Sequence, residues 1–167
     1  VTDLDLGFAE FITDEGLVHI KGWARLERLN LRGTKITDTG LEHLAGLTNL
    51  KSLDVSFSRI SEHGIDHLMG LTRLEQLVMG GNKMGGTRLA QLRALPALVQ
   101  LDLSGEQRTD SNLWGIRLND LDLDHIAALP RLQMLNLGGR TITDLGVAKL
   151  KTLVALQSVD LSETQVT

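Results

Sequence analysis

The sequence predicts an α/β solenoid, a right-handed horseshoe with a parallel β-sheet on its concave face and helices on its convex face. Three observations point there. The skeleton of residues 26–49, LERLNLRGTKITDTGLEHLAGLTN, recurs from Leu50, Leu74, Leu98, Leu132 and Leu156, and a worn copy opens at Val1. Within each copy the apolar spacing changes from every second residue to every third or fourth, the switch from strand to helix. Hydrophobic residues make up 42% of the chain but aromatic ones only 3%, which suits many small layers better than one large centre.

The elements follow in order. In the first copy, residues 1–25, Leu4 and Leu6 align with Leu29 and Leu31, one extra residue precedes Ile12, and Trp23 stands as a core filler where the second copy has Leu47. The second to fourth copies start at Leu26, Leu50 and Leu74, a strict 24-residue interval. The fifth, residues 98–131, is ten residues longer; the sixth, residues 132–155, returns to 24; the seventh starts at Leu156 and reaches Thr167. In LERLNL, Leu29 and Leu31 alternate with Arg28, Asn30 and Arg32, a short strand with one apolar face. Thr37 or Asp38 then caps a helix that turns Leu41 and Leu44 inward, with Leu47 closing the layer. The equivalent caps are Ser61, Asn119 or Asp120, and Thr143 or Asp144. One strand and one helix cannot bury their own apolar side, so the copies must stack. Strands stack at ~4.8 Å and helices at ~8–10 Å, so the array curves with the sheet inside. The expectation is a single domain of about seven repeats. Neither end reads as the polar cap such arrays carry, so we expect a fragment of a longer protein, or ends covered by something outside the chain.

Fixed self-similarity of this length with L-x-x-L-x-L resembles the leucine-rich repeat family along the whole chain. TKITDTGLEHLAGL and RTITDLGVAKLKTL are similar to its T-x-I-T-D-x-G-L-x-x-L-x-x-L variety, seen in bacterial repeat proteins and in the cysteine-containing repeats of F-box proteins. Position nine here is Thr34, Ser58, Asn82 or Thr164 rather than Cys, and no F-box segment is present. The resemblance implies a non-catalytic scaffold that binds a protein or peptide on its concave face, in a bacterial surface, secreted or host-directed setting. Two alternatives stay open: a structural module stacking end to end, and the recognition arm of a larger enzyme or effector.

Composition narrows the partner. Net charge is −4 with a pI near 5.7, and no face is rich in Lys and Arg, which argues against nucleic acid. No apolar run approaches the ~18 residues of a membrane span. The absence of Cys excludes disulfides and thiolate metal sites.

The strand alternation yields candidate contacts. One concave column is Asp3, Arg28, Ser52, Gln76, Gln100, Met134 and Ser158; the next is Asp5, Asn30, Asp54, Val78, Asp102, Asn136 and Asp160, a mildly acidic stripe that fits a basic segment. The third is mostly small, Gly7, Arg32, Ser56, Gly80, Ser104, Gly138 and Ser162, which would let a partner approach the backbone. The contacts predicted are Arg28, Asn30, Arg32, Asp54, Gln76, Gln100, Asp102 and Asn136. The insertion at residues 104–117 adds nothing to the repeating core, and long loops of this kind are often functional; it contributes Arg108 and Trp114, residue types enriched at hot spots, although Trp114 can equally fold back beside Phe57 or Gly81. His19, His43, His67 and His125 share one repeat position, but helices ~8–10 Å apart hold them too far apart for a metal needing nitrogens at ~2.0–2.1 Å. No catalytic constellation or cofactor motif emerges: Ser56, Ser104 and Ser162 lie on the face opposite the histidines.

Overall fold

Each repeat converts its alternating segment into a three-residue strand with the middle side chain turned inward. The computed structural model describes residues 1–108, 113–138 and 141–167, the side chains at 107, 108, 113 and 114 excepted. Its strands are β1 (Asp3–Asp5), β2 (Arg28–Asn30), β3 (Ser52–Asp54), β4 (Gln76–Val78), β5 (Met84–Gly85), β6 (Gln100–Asp102), β7 (Glu106–Arg108), β8 (Leu113–Arg117), β9 (Met134–Asn136) and β10 (Ser158–Asp160). Seven of them form one parallel sheet in the order β1-β2-β3-β4-β6-β9-β10. The register never slips: Leu4, Leu29, Leu53, Leu77, Leu101, Leu135 and Val159 lie side by side. Such regularity follows from the repeat, because a one-residue slip would turn a layer's leucine to solvent.

The opposite side carries α1 (Asp14–Leu17), α2 (Asp38–Glu42), α3 (Ile65–Leu68), α4 (Leu123–Ile126) and α5 (Asp144–Lys149), with 3-10 turns at Glu62–Gly64, Leu89–Ala94 and Leu150–Thr152. Between sheet and helices lies one continuous aliphatic core. Leu26, Leu31, Ile36, Leu41, Leu44 and Leu47 of the second repeat are all fully buried. The chain is thus an α/β solenoid. Trp23, expected as a filler, remains 36% exposed in the first layer.

Two polar ladders join the layers. At the helix starts, the threonine or serine caps its own helix: Thr37, Ser61 and Thr143 accept from Thr39, His63 and Leu145. The aspartate beside it serves the next layer. Asp38 accepts the Ser61 N–H at 2.8 Å and its hydroxyl at 2.5 Å; Asp14 does the same for Thr37, Asp120 for Thr143 and Asp144 for Thr167. At position nine, the hydroxyls of Thr34 and Ser58 donate to the Leu31 carbonyl, and Thr164 donates to Leu161. Fully buried Asn82 donates to the carbonyls of Val55 and Met79 and accepts from the Ile60 N–H. A buried carbonyl left unpaired would cost ~1–3 kcal/mol, so this position holds a donor.

The insertion corrects one expectation. β7 and β8 pair antiparallel, and β8 continues in parallel onto β5, with Met84 opposite Ile116. Ile116, within the insertion, is buried in the core beside Leu118 of the regular repeat, so the extra residues extend it. The third column is explained by the same detour. A β-carbon on Gly80 would lie 1.7 Å from the Ser104 carbonyl oxygen, and one on Gly138 2.9 Å from the Gly105 nitrogen. The chain's own backbone occupies the room that the small side chains leave there.

Candidate functional site

The concave sheet brings together seven of the eight residues singled out above, all but Arg32, which follows β2, but their environments differ. In the central column the acidic and amide groups turn back on the chain. Asp54 accepts from the Ser56 N–H (2.9 Å) and hydroxyl (2.5 Å), and Asp102 from the Ser104 N–H (2.9 Å) and hydroxyl (2.7 Å). Asp5 and Asn30 accept from the N–H two residues on, Gly7 and Arg32. These are Asx turns that end β1, β2, β3 and β6. The column is further linked across strands, Asn30 to Asp5 at 2.9 Å and Asn136 to Asp102 at 3.2 Å. Asp160 follows the pattern, and the Ser162 hydroxyl and N–H hold its carboxyl below the ordinary carboxylate range.

The first column is less committed. Gln76 donates to Gln100 at 3.2 Å on an exposed surface, and Met134, beside Gln100 in the register, is 41% exposed. Arg28 pairs with Asp3, whose carboxyl is lowered first by the Thr2 hydroxyl and then by Arg28. Two shallow hollows lie on the sheet. One of about 480 Å³ is lined by residues including Asp3, Arg28, Asn30, Ser52 and Asp54; the other, about 180 Å³, by Gln100, Asp102, Met134, Asn136 and Ser158 among others.

Arg32 does not reach into the groove. Its guanidinium lies over the Phe57 ring, 4.3 Å from the centroid, and 5.7 Å from that of Phe8, and it donates to the Ser56 hydroxyl at 2.9 Å. Ser56 in turn donates to Asp54, so an Arg–Ser–Asp relay ties the edge of the sheet to its middle. The backbones of Arg108 and Trp114 belong to the β7–β8 hairpin, where Trp114 pairs with Gln107; their side chains lie outside the described residues, and the placement of Trp114 against Phe57 or Gly81 therefore does too. His19, His43, His67 and His125 fall within or just after the short convex helices, and among the described residues no three His, Asp or Glu are grouped to hold a metal.

Sequence reasoning passed over Met134 and the phenylalanines. Met134 had a legible signal, an apolar residue at an outward position of a polar column. The phenylalanines had only their spacing: Phe8 and Phe57 fall at the residue after the third column, where four other repeats have glycine and the seventh has Glu163.

The sequence matches family models described as leucine rich repeat, one over residues 24–84 and 48–107 and a second over residues 1–20. A search of the curated proteins finds no match. Among solved structures, the chain is similar to an internalin (inlF) from Listeria monocytogenes, with a TM-score of 0.70 and 28% identity over 87% of this chain and 37% of that one. It therefore spans well under half of that protein's length. It is also similar in fold to an internalin C2 (inlC2) from the same organism, with a TM-score of 0.68 and 23% identity over all of this chain and 74% of that one.

Proposed function

The chain belongs to the leucine-rich repeat family, and from that premise we propose that it is a non-catalytic scaffold recognising a protein or peptide through its concave face, with the hairpin of residues 104–117 at one margin. The observation that carries the reading is the contrast between the two columns. The central one is mostly spent on Asx turns, whereas Gln76, Gln100 and Met134 stand exposed or half-exposed in a row, with no carboxylate partner among the described residues. A row of amides around one exposed thioether is a surface with hydrogen-bonding capacity and apolar area, the mixture that specific interfaces use. The serines of the third column support the non-catalytic part: Ser56 and Ser104 donate to carboxylates with no histidine between, which fixes a turn and does not activate a nucleophile.

The test is a pull-down from the source organism's lysate and culture medium. The unmodified chain is compared with Gln76→Ala/Gln100→Ala/Met134→Ala and with Arg108→Ala/Trp114→Ala, each checked for fold by circular dichroism. Loss of a captured protein in the first variant supports the concave reading, and loss in the second adds the hairpin. Equal capture by all three chains overturns it.

A further inference from the structure

All three phenylalanines of this chain lie outside its core, on the turns that follow β1 and β3. Among the described residues the core is built of Leu, Ile, Val and Met. Phe8 is 68% exposed, Phe11 92%, and Phe57 is half-buried. Two cations are interleaved with them: Arg32 stacks on Phe8 and Phe57, and Lys35 lies 5.9 Å from the centroid of Phe11. This ridge runs along the turns that follow the strands of the first three repeats, at the margin of the sheet. Large apolar side chains grouped on a surface mark an interaction site far more often than scattered ones do.

We propose that this ridge is a second docking surface, distinct from the concave groove, for a protein segment that alternates acidic and apolar side chains. Charge complementarity selects that occupant. Some cations of the chain are paired with carboxylates, as in Lys51–Glu27, Arg88–Asp66 and Lys149–Asp124. Arg32 and Lys35 have no such partner among the described residues; neighbouring Glu10 forms no ion pair with either. Arg32 donates to Ser56 alone, out of the five N–H groups a guanidinium offers. Ring faces hold both cations in place without neutralising them. A carboxylate arriving there gains a fixed donor, and an apolar side chain beside it covers Phe8 or Phe11. The placement of Phe8 and Phe57 strengthens the reading. Both sit at left-handed backbone positions, φ 59° and 55°, which Gly33, Gly81 and Gly105 occupy in other repeats and Glu163, at φ 61°, in the seventh. An exposed aromatic at such a position is a poor choice for stability alone, and strained conformations concentrate at functional surfaces.

The experiment is selection of a random-peptide phage library on the whole chain, in parallel with a Phe8→Asn/Phe11→Ser/Lys35→Ser variant and with Gln76→Ala/Gln100→Ala/Met134→Ala. Asn tolerates the left-handed region, so the ridge variant keeps its fold, verified by its urea midpoint. The expected result is a consensus with an acidic residue beside apolar ones, weakened at least about tenfold in Kd on the ridge variant and unchanged on the groove variant. A consensus lacking the acid, one that survives on the ridge variant, or no enrichment overturns the proposal. So does co-sedimentation of the chain with phosphatidylserine vesicles that the ridge variant abolishes. A consensus lost only on the groove variant sinks the ridge and leaves the concave scaffold standing.

Discussion

Asp122 stands over Gly86, so close that a β-carbon on the glycine would lie 2.1 Å from the carboxyl carbon. This reverses the arrangement of the other layers. There the acid comes from one repeat and the glycine from the next: β-carbons on Gly40, Gly64 and Gly146 would lie 2.4, 2.7 and 2.4 Å from Oδ1 of Asp14, Asp38 and Asp120. Between the fourth and fifth repeats the two residues have exchanged layers. Asp122 then accepts the Asn119 N–H from within its own repeat, at 2.8 Å, replacing the bond that Asp38 receives from Ser61 across layers. The carboxylate keeps its place while its origin changes.

That exchange predicts a coupled pair. Gly86→Asp alone forces two carboxylates into one space and destabilises by about 2–3 kcal/mol. Asp122→Gly alone removes the acceptor of the solvent-exposed Asn119 N–H, at a cost of about 0.5–1 kcal/mol. Gly86→Asp/Asp122→Gly restores the arrangement of the other layers. Its urea-derived stability should exceed the sum of the singles by roughly 1–3 kcal/mol. Additive values would show that the two residues do not compete for the same volume.

Gly80→Ala should be among the most damaging alanine substitutions. Its methyl would sit 1.7 Å from the Ser104 carbonyl oxygen, a backbone atom pinned by the start of the hairpin. We expect a loss of about 3 kcal/mol. Gly22→Ala meets nothing within 4 Å and is the control, changing stability by no more than about 0.5 kcal/mol. Comparable urea midpoints for the two variants would contradict this packing.

Acid should weaken the fold, and the direction follows from the carboxylates. The Lys51 ammonium holds Glu27 below its ordinary range, the Gly85 N–H lowers Glu62, and the Thr143 N–H and hydroxyl lower Asp120. Asp3 and Asp160 are lowered as well. Unfolded, these groups return to values near 4, so the unfolded chain binds more protons just below that point. Their contribution is complete above about pH 5 and is lost as pH falls through and below the ordinary carboxylate range. The urea midpoint should be level between about pH 6 and 7.5 and drop toward pH 3, with a shallower drop in Asp120→Asn. A midpoint constant down to pH 3 would contradict it.

The architecture was legible because one pattern is written many times. Leu29, Leu53, Leu77 and Leu101 needed only the period to be placed on one register. The capping alternatives were not decidable from one repeat, since Thr37 and Asp38 are equally good caps; the structure divides the work, Thr within the layer and Asp to the next. The central aspartates read as an acidic stripe because a turn-forming Asp and a ligand-binding Asp look alike until the N–H two residues on is located. The insertion was visible as a length, but its strands were hidden: Ile116 reaches the core by pairing with a segment 32 positions earlier, Met84, a distance no local pattern encodes.

Phe57→Gly and Phe8→Gly remove the same residue type from the same left-handed position, yet should differ in sign or size. A left-handed conformation costs a residue with a β-carbon roughly 1–2 kcal/mol, which glycine relieves; glycine returns roughly 0.5–1 kcal/mol of that as added freedom in the unfolded chain. What remains is ring burial. The Phe8 ring contacts Gly33 but is 68% exposed, so little apolar area is lost and the net change should lie within about 1 kcal/mol of zero. The Phe57 ring is half-buried, covers both Gly81 and Gly105, and carries the nearer Arg32 contact. Burying a whole Phe is worth about 1.5–3 kcal/mol, and half of that together with the cation–π contact outweighs the relief. Phe57→Gly should therefore be destabilising by about 1 kcal/mol and Phe8→Gly close to neutral, as read from urea unfolding of both. If Phe8→Gly proves the more damaging, the exposed ring supports the fold in a way its surroundings do not show, and its placement on the ridge loses its functional argument.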